Sequence, residues 1–153
     1  MTRFVSATAD IQGPYRYSLT RVWDETQPTL TFVLLNPSTA DDQELDPTLT
    51  RCFNFARRDG FGSMLILNLY AFRSPYPRVM KAAKDPIGPD NDAVLGTATG
   101  TVVAGWGNHA TRGRVLHALT LLPALHVLGL NAGGQPTHPL YVRGDAPLIE
   151  WNP

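Results

Sequence analysis

The chain reads as an α/β protein with three layers, a mostly parallel four-stranded central sheet carrying helices on both faces. Two observations predict it. Four apolar runs, near residues 31–35, 64–68, 101–105 and 125–129, have strand length and are too continuously apolar to leave one face wet, as expected of strands buried on both sides. Between them lie segments with helical spacing and helix start or stop signals, and strands alternating with helices build parallel sheets through right-handed crossovers.

Residues 15–24 alternate roughly and are rich in aromatic and β-branched side chains, which predicts an N-terminal β hairpin or edge strand. The first core strand, Thr31-Phe32-Val33-Leu34-Leu35, runs into Asn36-Pro37-Ser38. Asp46-Pro47 then starts a helix, because Asp caps free N–H groups and Pro suits the first helical position. Leu49, Cys52, Phe53 and Ala56 give that helix its buried face, and Gly60 closes it. The second core strand ends near Asn68. A short helix is expected around 77–84 and a helical stretch to about Thr99, separated by the turn-rich segment 86–92. The third strand ends at Trp106-Gly107-Asn108-His109. A helix over about 110–122 follows, with Val115, Leu119 and Leu122 on its inner face, His109 helping to cap it and Pro123 ending it. The fourth strand leads to Pro136-Thr137-His138-Pro139-Leu140.

These 153 residues fit one domain spanning 1–153, with 43% hydrophobic and 17% charged residues. Thirteen acidic residues balance thirteen basic ones, so the global charge does not predict tight non-specific capture of duplex DNA. A single cysteine, Cys52, excludes an intramolecular disulfide and a thiolate cluster, and its apolar helical setting is that of a buried inert thiol. With no long apolar segment and no signal-peptide core, a cytoplasmic protein without membrane association is expected. The oligomeric state is not legible.

All four core strands deliver polar residues to one rim: Asn36, Asn68, Asn108 with His109, and His138. In open sheets ligands bind outside the carboxyl ends of the strands. No rim loop has the spacing of a glycine-rich phosphate loop, and Ser38 follows Pro37 instead of sitting in a nucleophile elbow. The acidic residues Asp41, Asp42, Glu44 and Asp46 match no metal loop and read as a solvated loop plus a helix cap, so neither metal nor cofactor is expected. Amides and a histidine suit a different task. An Asn side chain offers a donor and an acceptor in one plane, the complement of a nucleobase edge, and His can donate to a base carbonyl oxygen. A base leaving as an anion needs that oxygen stabilised, and the sugar cation needs a positioned water. That is the chemistry of N-glycosidic cleavage. The same residues also have plainer uses: Asn36-Pro37 as a turn, Asn68 on backbone groups, His138 as a turn cap, Trp106 as packing.

The motif order Leu35-Asn36-Pro37-Ser38, Leu67-Asn68-Leu69, Ala104-Gly105-Trp106-Gly107-Asn108-His109 and His138-Pro139-Leu140 resembles the uracil-DNA glycosylase superfamily. More closely, most of the chain resembles the bacterial and phage family called domain of unknown function 1643, through its LNPSTAD segment, DPT helix start, N-L-[FY]-A strand exit and terminal HPLY. The resemblance implies a glycosylase-like fold acting on a base in nucleic acid or nucleotide. It implies that Asn36 orients the attacking water, Asn68 reads the base edge and His138 stabilises the departing base. Pro37, Ser38, Tyr70, Trp106, Asn108 and Leu140 complete the expected substrate-binding set. The chain lacks the Asp of the most active glycosylase branch and the Ser-Pro after the final His-Pro. If Asn36 holds water, Asn36→Asp should retain or raise activity, since a carboxylate polarises water better than an amide. The alternative is a non-catalytic nucleobase, nucleotide or nucleic-acid binding module on the same fold.

Overall fold

The computed structural model describes residues 4–153. The four predicted core strands are present as β3 (Thr29–Leu34), β4 (Ser63–Asn68), β5 (Thr101–Ala104) and β6 (Leu125–Val127), all mutually parallel in the order β4-β3-β5-β6. The sheet is nevertheless seven-stranded and mixed, not four-stranded. β1 (Ser6–Gln12) and β2 (Tyr15–Val22) form a hairpin, β2 pairs antiparallel with β4, and β7 (Ile149–Trp151) adds antiparallel to β6. Residues 15–24 are thus no edge, because β2 lies between β1 and β4. β1 and β7 escape a reading by apolar pattern because they are largely exposed, and an edge strand gains its place from backbone pairing with little apolar burial.

Strict alternation distributes the core. Leu30, Phe32 and Leu34 of β3, Met64 and Ile66 of β4 and Val103 of β5 face one way, against Leu49, Cys52, Phe53 and Ala56 of α1 (Pro47–Arg58). Val33, Leu67, Val102 and Ala104 face the other way, with Met80 of α2 (Pro77–Ala82), Leu95 of α3 (Asn91–Leu95) and Val115 and Ala118 of α4 (Arg112–Leu121). Each fully buried large apolar side chain contributes about 1.5–3 kcal/mol. Helices therefore cover both faces as expected.

α1 starts where Asp46 and Pro47 predict, with Asp46 Oδ1 accepting from Leu49 N–H at 2.9 Å. It ends at Arg58 with Asp59 as its C-cap, and Gly60 follows with a φ of +82°, a left-handed conformation that favours glycine. α4 begins at Arg112 and not at Ala110: Thr111 is its cap, accepting from Arg114 N–H at 3.2 Å, and the exposed His109 takes no part. Among the described residues no helix is long and apolar enough to cross a membrane.

Chain direction sets where a ligand can enter. The β3-α1-β4 crossover leaves β3 toward one side, whereas the crossovers through α2, α3 and α4 reach β5 and β6 on the other side and opposite face. Right-handed crossovers in opposite directions part their loops between β3 and β5, leaving a crevice at the carboxyl ends of those strands.

Candidate functional site

That crevice is a cleft of about 730 Å³. It gathers the polar strand exits: Asn36 after β3, Asn68 at the end of β4, Asn108 and His109 after β5, and His138 after β6. Pro37, Ser38, Trp106 and Leu140 also line it, as do Asp46 and Thr48 at the start of α1. Tyr70 does not. Its hydroxyl accepts from Thr111 N–H at 3.1 Å, and it lines a separate depression against α4.

Asn68 is 1% exposed, and neither its amide oxygen nor its amide nitrogen has a hydrogen-bond partner. Buried polar groups are normally paired, and leaving one unpaired costs about 1–3 kcal/mol. Its backbone, by contrast, is held firmly. Leu69 N–H donates to Leu34 O at 2.9 Å and Tyr70 N–H to Leu35 O at 2.9 Å, extending the β3 pairing past the strand end. Asn91 Nδ2 donates to Asn68 O and Leu69 O, and Arg114 Nε donates to Leu69 O at 2.8 Å. Arg114 is anchored in turn by Asp92 at 2.7 Å. These residues fix the Asn68 backbone, and none of them pairs with its side-chain amide.

His138 caps the 3₁₀ turn Pro139–Tyr141, its Nδ1 accepting from Leu140 N–H at 3.2 Å. An accepting Nδ1 carries no proton, so the neutral ring bears its hydrogen on Nε2 and is a donor there. Burial pushes the imidazole below its ordinary pKa, with the Asp46 carboxylate pulling partly the other way. The turn reaches over the end of β5 because residue 105 is glycine. A Cβ there would come to 3.1 Å from Pro139 Cδ and 3.2 Å from Leu34 Cδ2. Arg51 of α1 secures it, donating to Pro139 O at 2.8 Å and to Val142 O.

Asn36 has a second, structural task. Its Nδ2 donates to Pro37 O at 3.1 Å, Phe72 O at 3.2 Å and Ser74 O at 2.9 Å, stitching the loop after β3 to the loop after β4. These contacts hold the amide in one orientation. The geometry also reverses the expectation for Asn36→Asp. An aspartate would turn its second oxygen on three carbonyls, raising its own pKa and costing about 1–3 kcal/mol. Asn36→Asp should therefore lower both thermal stability and any activity, measured by melting and by turnover.

The remaining candidates divide. Ser38 is half-buried and Pro37 buried in the stitched loop. Asn108 sits exposed at the lip, with Oδ1 accepting from Asn131 Nδ2 at 2.9 Å, and Leu140 is 40% exposed beside it. Trp106 is a packed aromatic and not a stacking platform: it is 1% exposed, donates from Nε1 to Gln135 Oε1 at 2.8 Å and meets Trp151 edge-on. The acidic loop is used locally, Asp41 accepting from the N–H groups of Gln43 and Glu44 and Asp46 capping α1.

Sequence reasoning missed Arg16. This β2 residue lines the cleft at 2% exposure, and its guanidinium makes one hydrogen bond among the described residues, from Nη1 to Ala40 O at 3.0 Å. Burial lowers its pKa to about 10, Asp46 opposing this and Arg73 and Arg21 adding to it, so it remains charged at neutral pH. Tyr15-Arg16-Tyr17 reads as an ordinary edge-strand alternation, and only the burial of Arg16 in the folded chain makes its charge unusual.

The sequence profile of one family, described as protein of unknown function (DUF1643), matches residues 16–140. No curated protein and no solved structure matches the chain. The matched span holds every strand exit that meets in the cleft, from Asn36 to His138, and the chain belongs to the DUF1643 family.

Proposed function

We propose that the protein hydrolyses an N-glycosidic bond of a nucleobase in a nucleic acid or nucleotide, on a fold like that of the uracil-DNA glycosylases. The observation that carries this reading is the meeting in one cleft of a buried Asn68 amide without partners and a neutral His138 whose Nε2 bears the proton. Asn68 presents one acceptor and one donor to the base edge. As the bond from C1′ to the base nitrogen breaks, its electron pair goes to the base, and His138 Nε2–H donates to the base oxygen on which charge develops. A water held by Asn36 Oδ1 adds through oxygen to C1′ and loses a proton to solvent, and the released base takes up a proton.

A second reading, a module that binds a base or nucleotide without cleaving it, is favoured by one feature. Asn36 carries an amide whose Nδ2 is committed to three backbone carbonyls, and Asp46 is engaged in capping α1, so neither offers a free carboxylate to activate water. The decisive assay is release of free base from uracil-containing oligonucleotides and from free nucleotides. Release supports hydrolysis. Base binding without release from any substrate transfers the function to the binding module.

A further inference from the structure

Three arginines are buried among the described residues, and two of them have clear employment. Arg21 donates to the carbonyls of Thr8, Thr20, Asp41 and Glu44. Arg114 pairs with Asp92 and holds Leu69 O. Arg16 differs. It is as buried as Arg21, yet of its five guanidinium N–H donors one is used, its Nε is buried without a partner, and among the described residues no carboxylate lies within 4.0 Å. An unpaired buried charge is costly and is normally matched by a counter-charge.

We infer that Arg16 is the anion subsite of the cleft and receives a phosphate of the ligand, making a phosphorylated nucleoside, and not a bare base or nucleoside, the molecule this site binds. The inference rests on the nucleobase reading above, since phosphate is the anionic group such ligands carry. A guanidinium fork suits it, offering two parallel donors to phosphate oxygens. Two nearby groups fit the assignment. Thr48 lies at the N-terminal turn of the twelve-residue α1 with no intrahelical acceptor for its N–H, and it lines the same cleft. Arg73, close enough to depress the ionisation of Arg16, adds positive potential. Asp46 opposes an incoming anion, but its Oδ1 is engaged by Leu49 N–H. The neutral net charge of the whole chain also fits a local phosphate contact better than an extended backbone track.

The test is calorimetric titration of wild type and Arg16→Met with deoxyuridine, dUMP, deoxyribose 5-phosphate and a short single-stranded oligonucleotide carrying one uracil, with melting curves for both proteins. Wild type should bind dUMP or the oligonucleotide roughly 10- to 100-fold more tightly than deoxyuridine, the scale of a charge-assisted contact. Arg16→Met should erase that difference while leaving deoxyuridine affinity unchanged. Which phosphorylated ligand binds more tightly identifies the source of the phosphate, and either preference supports the subsite if it depends on Arg16. If Arg16→Met does not fold, Arg16→Gln takes its place. Equal affinity for deoxyuridine and dUMP in wild type, or a phosphate preference that survives loss of Arg16, overturns the inference while leaving the nucleobase reading standing. Arg16-dependent binding of deoxyribose 5-phosphate, with no ligand gaining affinity from its base, supports the anion subsite and removes the nucleobase reading instead.

Discussion

Replacing His138 with Asn should leave a folded protein whose base-release rate falls roughly 10²- to 10³-fold, the scale of losing one preorganised donor to developing charge. Asn is the informative substitution because it is a good cap: its side-chain oxygen can still accept from Leu140 N–H, as His138 Nδ1 does. His138→Ala would lose that cap as well and confound the result with a stability cost of about 1 kcal/mol. The pH dependence separates the two roles further. Burial lowers the folded-state pKa of His138, so the unfolded chain binds the proton more readily. The resulting stabilisation is fully present above the unfolded value of about 6.5 and is lost as the pH falls through the folded value. Protonation also puts a hydrogen on Nδ1 facing Leu140 N–H. The wild-type rate should therefore be level at neutral pH and drop along an acid limb centred below 6.5, and His138→Asn should abolish that limb.

Asn68→Leu should raise stability and abolish ligand recognition together. The substitution keeps the approximate shape of the side chain and removes two buried polar atoms that have no partners. Relief of their desolvation should add about 1–3 kcal/mol to the unfolding free energy, read from denaturant melts. The same change removes both hydrogen-bonding groups offered to a base edge, and a site built to pair with polar groups of its ligand loses several orders of magnitude when they are unmatched. A residue kept for the fold would behave in the opposite way, since Asn68→Leu would then destabilise.

The parallel core was legible because β3 to β6 are buried on both faces, and burial writes itself into the sequence as unbroken apolar runs. β1 and β7 left no such mark, as their exposed side chains are free to be polar. The helix start at Asp46-Pro47 was legible through local chemistry that needs no tertiary context, whereas Ala110 was a poorer guide to α4 than the cap residue Thr111. Asn36, Asn68, Asn108 and His138 could be picked out because each follows an apolar strand, and parallel strands deliver their exits to one rim. Tyr70 falls outside the cleft, and Trp106 lines it with a ring that is packed away, for a shared reason. Proximity to a strand exit does not say which way a side chain turns, and both turn into the packing. Arg16, Asn91 and Arg114 were invisible because their importance lies in burial and in contacts across as many as 45 positions of sequence.

On the proposed function, a nucleobase sits between Asn68 and His138, and a crystal structure of the protein with uracil or dUMP would show it there. The base should lie with its edge within about 3.2 Å of the Asn68 amide atoms and a carbonyl oxygen at a similar distance from His138 Nε2. A base bound elsewhere on the protein, or in the cleft with the Asn68 amide still unpaired, would contradict it.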